Sequence, residues 1–174
     1  MLIGLTGKAG AGKDTAADIL CAEYGFTRLA FASGLKTMLA SIGFEEPCRA
    51  DKEKQIPGFA FSYRKAAQEL GTEWGRSVDP DLWVKLLERK LLSMGAGHFV
   101  ITDVRFKNEV RLVQKLGGRV IEIQGRQSDL GSRSKHASEA GLPEKDIDLV
   151  IQNSGSIAEL KLKLCRALLG DDRE

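Results

Sequence analysis

The stretch Gly7-Lys8-Ala9-Gly10-Ala11-Gly12-Lys13-Asp14-Thr15 decides how this chain folds. An apolar run, Leu2–Leu5, precedes it, and a segment with helical periodicity, Thr15–Tyr24, follows it. A strand, a glycine-rich turn that ends in lysine and a helix together form a cradle for the phosphates of a nucleotide. Curled main-chain N–H groups, the helix N-terminus and the lysine ammonium all attract phosphate oxygens. The stretch therefore predicts a binding site for a nucleoside triphosphate.

Asp14 departs from the usual spacing of such a loop, because Ser or Thr normally follows the lysine. Thr15 comes one position later, so the sequence leaves open which of the two contacts a magnesium ion. An incidental lysine in a glycine-rich turn is the alternative, and the flanking strand and helix argue against it. The residues expected to hold the triphosphate are Gly7, Ala9, Gly10, Ala11, Gly12, Lys13, Asp14 and Thr15.

Length and composition indicate one ordinary globular domain over residues 1–174, with 43% hydrophobic and 29% charged residues. A net charge of +2 is too small to indicate a nucleic-acid or membrane partner. The chain shows no apolar run of about 20 residues and no leader before its first strand, so we expect neither a membrane span nor a signal peptide. Cys21, Cys48 and Cys165 show no metal or disulfide spacing, which favours reduced thiols in the cytoplasm.

Apolar runs alternate with amphipathic stretches along the chain. The predicted strands are Leu2–Leu5, Thr27–Phe31, Phe99–Thr102, Val120–Ile123 and Leu149–Ile151. The predicted helices are Thr15–Tyr24, Leu35–Ile42, Ser62–Arg76, Asp81–Met94, Lys107–Leu116 and Ile157–Leu169. Because strands separated by helices form parallel sheets covered on both faces, we expect the three-layer α/β/α fold of P-loop NTPases with a five-stranded parallel sheet. The first, third and fourth strands are continuously apolar, which is typical of central strands.

Two segments interrupt this alternation. Residues 43–94 contain two predicted helices and a polar loop, and residues 125–145 are polar with three glycines. Insertions at the carboxyl edge of such a sheet usually carry substrate recognition, so we expect a helical substrate-binding insertion and a lid. A solvated surface loop is the alternative for residues 125–145. The basic side chains there favour a lid that covers phosphates; they are Arg126, Arg133, Lys135 and His136.

Asp103 and Arg105 follow the third predicted strand directly. If that strand neighbours the first, Asp103 lies beside the phosphate loop and can hold magnesium directly or through water. Arg105 would then reach past the strand edge toward an anion. The alternative is a structural role, in which Asp103 caps a helix near Phe106 and Arg105 pairs with it. The phosphate loop elsewhere in the chain favours function for both residues.

Arg64, Gln68, Thr72 and Arg76 recur every four residues in a predicted helix that begins near Ser62. That spacing places the four on one side of the helix, where two arginines can clamp a phosphate. The opposite side carries Ala67, Leu70 and Trp74, which we expect to pack inward. A merely solvated polar face is the equally weighted alternative.

For one further residue and one loop, the sequence leaves two interpretations open. Trp83 can stack on a nucleobase, but a core position is at least as well supported because Val84, Leu86 and Leu87 follow it. The Gln152–Gly155 loop can contact a bound nucleotide, or it can be a plain turn before a capped helix.

Taken together, these segments resemble the phage-type deoxynucleoside monophosphate kinases. The phosphate loop is shared with many kinases, whereas Leu70-Gly71-Thr72-Glu73 and Asp103-Val104-Arg105-Phe106 are more particular to this family. The other matching segments keep their order over nearly the whole chain: Phe31–Lys36, Arg64 with Gln68, Trp83-Val84, Thr102–Glu109, His136–Glu139 and Val150–Asn153 with Gly155.

The resemblance implies a role for particular residues. Lys13 and the loop amides would hold the donor phosphates, with Asn153 also on the ATP side. Arg105, Arg126 and Arg133 would act with Lys13 in catalysis, the last two by closing over the transferring phosphoryl group. Magnesium would be held among Asp14, Thr15 and Asp103. Arg64, Gln68 and Arg105 would help to seat the acceptor nucleotide. With the local patterns described above, the full set of acceptor candidates is Lys36, Arg64, Gln68, Thr72, Arg76, Trp83, Asp103, Arg105, His136 and Glu139.

The expected function is the ATP- and Mg²⁺-dependent phosphorylation of nucleoside or deoxynucleoside monophosphates, by a monomer or homodimer whose partners are small nucleotides. Two alternatives stay open. One is a kinase with another small phosphorylated acceptor, similar to dephospho-coenzyme A kinase. The other is a regulatory ATPase that acts through a protein partner, but a second set of basic residues favours an enzyme with two anionic substrates.

Overall fold

The computed structural model describes residues 1–125 and 141–170. The chain forms two compact units. The first contains Met1–Ala30 and the chain from Met94 onward, and the second contains Phe31–Ser93. The helical insertion predicted over residues 43–94 lies almost wholly within the second unit, which begins earlier, at Phe31.

The first unit is built on a five-stranded parallel sheet. Its strands are β1 (Leu2–Thr6), β2 (Thr27–Leu29), β3 (Phe99–Ile101), β4 (Arg119–Gly125) and β5 (Leu149–Asn153). They are ordered β2-β3-β1-β4-β5, so the three continuously apolar runs are the central strands, as predicted. Every residue of β1 and β3 is buried. The predicted α/β class and parallel sheet are confirmed.

Among the described residues, three helices cover this sheet: α1 (Lys13–Tyr24), α6 (Lys107–Lys115) and α7 (Ile157–Leu169). Ile3 and Leu5 belong to the core cluster that also contains residues of α1 and α7. Gly4 points to the opposite face, since successive side chains of a strand alternate, and there a Cβ would lie 3.2 Å from Val113 of α6. The sheet therefore lies between two helical layers, which is the expected three-layer arrangement.

The regular secondary structure described for the second unit consists of helices. Its helices are α2 (Ser33–Ser41), α3 (Tyr63–Gln68), a π-helical segment (Glu69–Trp74), α4 (Gly75–Val78) and α5 (Leu82–Met94), with a short 3-10 helix at Arg49–Asp51. The loop before α3 makes an isolated antiparallel bridge between Gln55 and Ser62. This bridge closes a turn in which Phe59 donates its amide to the carbonyl of Ile56 at 2.9 Å.

The single predicted helix from Ser62 to Arg76 needs a correction. Residues Glu69–Trp74 form π-helical turns, which hold more residues than α-helical turns and so change the direction of the side chains that follow. Trp74, expected to pack inward, is 47% exposed. The buried positions along this segment are Tyr63, Gly71 and Gly75.

Within the part of the chain that the structure describes, no helix combines the length and apolarity needed to cross a bilayer. Cys21, Cys48 and Cys165 are free thiols.

Candidate active site

The phosphate loop runs from the end of β1 to the first residue of α1, over residues 7–12. Gly7 has a φ of 128° and Gly12 a φ of 103°, which are conformations that only glycine adopts without strain. A Cβ on Gly7 would lie 2.3 Å from the carbonyl oxygen of Ile123 in β4. A Cβ on Gly12 would lie 2.2 Å from Nδ2 of Asn153 in β5. The loop is thus packed directly against the ends of two neighbouring strands.

Lys13 folds back over this loop. Its Nζ donates hydrogen bonds to the carbonyl oxygens of Gly7 at 2.6 Å and Lys8 at 2.9 Å. The amide of Ala11 donates to the carbonyl of Lys8 at 3.2 Å and closes the turn beneath it. The ammonium group therefore lies at the loop that the sequence predicts to hold phosphates, tethered by main-chain oxygens that a phosphate can replace.

Asn153, predicted to lie on the ATP side, contacts the loop itself. Its Nδ2 donates to the carbonyl oxygen of Ala11 at 2.9 Å. Gly125, the last residue of β4, also approaches the loop, and a Cβ there would lie 2.7 Å from Cα of Ala11. The loop conformation thus depends on residues from β4 and β5 that lie more than 110 positions away in the chain.

Asp103 follows β3, which pairs with β1 in parallel register, so the condition that places it beside the phosphate loop is met. The amide of Thr102 donates to Leu29 and that of Val104 donates to Leu5, each at 3.1 Å. These bonds continue the sheet register past the end of β3 and hold Asp103 at the same edge as the loop.

Glu109 caps the helix that follows. Its Oε2 accepts the amides of Arg105 at 2.7 Å and of Phe106 at 3.1 Å. The side chain is only 2% exposed. A buried carboxylate bonded to two main-chain amides fixes the backbone from which Arg105 projects. Sequence reasoning missed this residue, although an acidic residue three positions after a helix start is the known signal of a capping box.

Arg28 on β2 is a second residue that the sequence did not reveal. Its guanidinium pairs with Asp14 and, at 3.1 Å, with Asp18, both on α1. The four-residue spacing of the two aspartates places them on one face of the helix. The sequence displays that spacing, but it does not show that β2 brings an arginine to it.

The second unit holds most of the side chains predicted to contact the acceptor. Arg64 pairs with Glu53, and its amide donates to the carbonyl of Lys52 at 3.0 Å. Arg76 donates to the carbonyl of Pro80 at 3.1 Å. Gln68 ends α3 and Thr72 lies in the π-helical segment, and both are half-buried, as are Arg64 and Arg76.

Trp83 is a core residue of the second unit. The sequence left two roles open for it, stacking on a nucleobase or packing in the core, and the structure shows the second. It is 3% exposed, and its Nε1 donates to the carbonyl of Gly71 at 2.7 Å. Its ring packs against Gly75, where an added Cβ would lie 2.6 Å from a carbon of the indole. Because the indole is enclosed and its N–H is used, Trp83 packs within the second unit and is not exposed for stacking on a base.

Lys36, another predicted acceptor residue, belongs to a charged group in the second unit. Its Nζ lies 2.9 Å from Oε2 of Glu46, and Nζ of Lys52 lies 2.5 Å from Oε1 of the same carboxylate. Burial alone would raise the pKa of Glu46, but hydrogen bonds from Lys52 and Lys36 outweigh it and hold that pKa below its ordinary value. Glu46 is therefore ionised at neutral pH and fixes both ammonium groups.

The remaining predicted residues lie outside the described part of the chain: Arg126, Arg133, Lys135, His136 and Glu139. Of the predicted lid over residues 125–145, the structure describes Gly125 as the end of β4 and a 3-10 helix at Glu144–Asp146.

Comparison with known proteins gives a consistent result. A family model described as deoxynucleotide monophosphate kinase matches residues 48–164, about two thirds of the chain. A protein of Acanthamoeba polyphaga mimivirus with that family name is 33% identical over 178 residues, which is 91% of each chain. The deoxynucleotide monophosphate kinase of Escherichia phage RB69 is 36% identical over 112 residues, 62% of this chain and 45% of that protein. The chain thus spans about half the length of such phage relatives.

Among solved structures, the shikimate kinase of Aquifex aeolicus vf5 is similar with a TM-score of 0.59. The likeness covers 98% of both chains at 14% sequence identity. At that identity it concerns the fold alone, and it agrees with the predicted fold of P-loop kinases.

Proposed function

Because the chain belongs to the deoxynucleotide monophosphate kinase family, we propose that it transfers the γ-phosphoryl group of ATP to the 5′-phosphate of a nucleoside or deoxynucleoside monophosphate, with Mg²⁺ as cofactor. The family match confirms the resemblance predicted from the sequence and the enzyme class, a phosphotransferase that acts on nucleoside monophosphates. The observation that carries the ATP assignment is the glycine loop with the Lys13 ammonium bonded to its carbonyl oxygens.

On this proposal, Lys13 and the loop amides hold the donor phosphates. Asn153 supports the loop through the carbonyl of Ala11. Arg105 projects from a backbone that the buried Glu109 holds, and it neutralises charge on the acceptor or on the transferring group. The acceptor residues proposed in the second unit are Lys36, Arg64, Gln68, Thr72 and Arg76. Those proposed from the undescribed segment are Arg126 and Arg133 in catalysis, and His136 and Glu139 at the acceptor.

The donor chemistry near the loop fits Mg²⁺. Among the described residues, no three acidic, histidine or cysteine side chains come together as a metal cage. Mg²⁺ in phosphoryl-transfer sites is usually held by one or two carboxylates together with substrate phosphates and waters. Asp14 and Asp103 offer such carboxylates, with the hydroxyl of Thr15 as the other candidate. When bound, the ion would neutralise phosphate charge.

Phosphoryl transfer requires little covalent chemistry from the protein. The acceptor phosphate is already an anionic nucleophile, so the residues contribute alignment of the two nucleotides and neutralisation of charge on the transferring group. The loop amides and Lys13 supply this on the donor side, and the arginines supply it on the acceptor side. Exclusion of water by a closing segment would prevent hydrolysis of ATP.

A panel of acceptors tests this function. Purified chain, ATP and Mg²⁺ are incubated with each ribo- and deoxynucleoside monophosphate, dephospho-coenzyme A and phosphomevalonate, and ADP release is measured. We expect turnover only with nucleoside monophosphates. Turnover with dephospho-coenzyme A or phosphomevalonate instead would establish the small-metabolite alternative. Slow ATP hydrolysis that no acceptor stimulates would favour the regulatory alternative.

Lys13→Ala and Lys161→Ala form a matched pair for the same assay. Lys13 contacts the loop, whereas Lys161 pairs with Glu23 at the far end of α1. We expect Lys13→Ala to abolish turnover in a folded protein and Lys161→Ala to retain it. Substantial kinase activity of Lys13→Ala would contradict the proposed role.

We also propose that the chain acts in the cytoplasm, as a monomer or homodimer, on small nucleotides and without a nucleic-acid or membrane partner. The free thiols of Cys21, Cys48 and Cys165 support a reducing compartment. Size-exclusion chromatography with light scattering would measure the oligomeric state.

A further inference from the structure

Arg28 bridges two carboxylates on one face of α1. Its Nη1 lies 3.1 Å from Oδ1 of Asp18, and its Nη2 contacts Oδ1 of Asp14. The guanidinium group has nitrogens fixed in a plane, so one side chain can hold two carboxylates at once. Among the described residues, these are the two ion-pair partners of Arg28.

Asp14 lies at an electrostatically sensitive position. It directly follows Lys13 in the first turn of α1, where the helix N-terminus and the loop amides are arranged to attract an anion. Phosphate loops commonly have a neutral Ser or Thr there. A carboxylate instead places a negative charge beside the predicted site of a highly charged anion and reduces the attraction that the loop offers.

We propose that Arg28 is a positioning residue that offsets the charge of Asp14 and thereby allows the loop to accept a nucleoside triphosphate before a divalent cation is present. This inference rests on the proposed function, because it takes the loop to be the triphosphate site. Arginine stays protonated at all physiological pH values, so its one positive charge always faces the two carboxylates, whose side chains are 73% and 72% exposed. Asp18, one helical turn from Asp14, holds the other arm of the guanidinium and keeps it directed at α1.

The arrangement has a consequence for metal dependence. A divalent cation that binds beside Asp14 would itself compensate the carboxylate, so Arg28 matters most for ATP without metal. Loss of Arg28 should therefore widen the gap between the affinities for metal-free and metal-loaded ATP. Removing the charge of Asp14 in addition should close that gap again. A merely structural ion pair would weaken both forms of ATP equally.

Titration calorimetry separates these outcomes, with ATP in EDTA and ATP in excess Mg²⁺ as the two probes. For Arg28→Gln we expect metal-free ATP to bind about tenfold or more weakly and Mg²⁺-ATP to bind less than about threefold more weakly at low salt. The double variant Asp14→Asn/Arg28→Gln should recover metal-free binding to within about threefold of the unaltered chain. Asp14→Asn alone should strengthen metal-free binding.

Lys161→Gln is the matched control, because it breaks an ion pair with Glu23 on the same helix but far from the loop. It should leave both affinities unchanged. Equal weakening of both probes by Arg28→Gln, or no recovery in the double variant, would overturn the role of Arg28 while the kinase assignment stands. Should Arg28→Gln fail to fold, the test falls on Asp14→Asn alone. If that variant binds metal-free ATP with the affinity of the unaltered chain, the proposed role of Arg28 is overturned. No ATP binding by the unaltered chain under either condition would overturn the proposed function as well.

Discussion

Asn153, at the end of β5, donates its side-chain amide to the main-chain carbonyl of Ala11 at 2.9 Å, across 142 positions of sequence. The bond ties the last strand of the sheet to the phosphate loop that follows the first strand. The loop is therefore part of the packed sheet edge and not an independent turn.

The first prediction concerns this bond. Asn153→Ala removes it, and because a single hydrogen bond contributes about 1 kcal/mol, we expect ATP affinity to fall about three- to tenfold. Titration calorimetry measures the change. Gln152→Ala is the control, because that neighbouring amide bonds the side chain of Gln124 instead of the loop. Equal effects of the two substitutions would contradict a specific role of Asn153.

The second prediction concerns the glycine conformation of the loop. In Gly12→Ala, a Cβ at a φ of 103° meets Nδ2 of Asn153, so the loop must distort and ATP binding should be lost. Gly25→Ala is the matched substitution, since Gly25 also has a positive φ but nothing lies within 4 Å of its Cβ. It should cost about 1–2 kcal/mol of stability and leave ATP affinity unchanged. Calorimetry and chemical unfolding of both variants compare the two effects, and retention of full ATP affinity by Gly12→Ala would refute the argument.

The third prediction uses the two tryptophans of the second unit. Trp83→Phe removes the N–H that donates to the carbonyl of Gly71 and shrinks a buried ring, which should cost about 1–3 kcal/mol. Trp74→Phe changes a half-exposed side chain and should alter stability by no more than about 0.5 kcal/mol. Urea unfolding followed by circular dichroism measures both. The reverse order of destabilisation would show that the inward face of this helical segment is wrongly assigned.

The fourth prediction is a pH dependence at Glu46. Lys52 and Lys36 lower the pKa of its carboxyl in the folded chain, so the ionised form stabilises the fold above the pKa of the unfolded chain. That contribution is lost as the pH falls through the lowered folded-state pKa. Glu46→Gln should therefore destabilise the chain by about 0.5–1 kcal/mol at pH 7, discounted for solvent exposure, and by much less in acid below that pKa.

Chemical unfolding of Glu46→Gln and of the unaltered chain at both pH values measures this difference. Glu45→Gln, which removes the neighbouring exposed carboxylate, serves as the control and should leave the stability unchanged. A destabilisation by Glu46→Gln that persists undiminished in acid would exclude the ion pairs as its cause.

The sequence by itself determined the five parallel strands, the helices of the first unit and the glycine loop. These features depend on short-range causes, namely the periodicity of apolar residues and the backbone freedom of glycine. The contiguous segments Leu70–Glu73 and Asp103–Phe106 also sufficed to indicate the family, because each is a local pattern.

Only the tertiary structure decided which side chains support the loop and which tryptophan is buried. Arg28 meets Asp14 because β2 lies beside the helix, and Asn153 meets Ala11 because β5 ends at the loop. Trp74 is half-exposed although the helical pattern placed it inward, and Trp83 is buried, which is one of its two predicted roles. Such contacts depend on how distant elements pack, and this packing is not encoded in the spacing of residues along the chain.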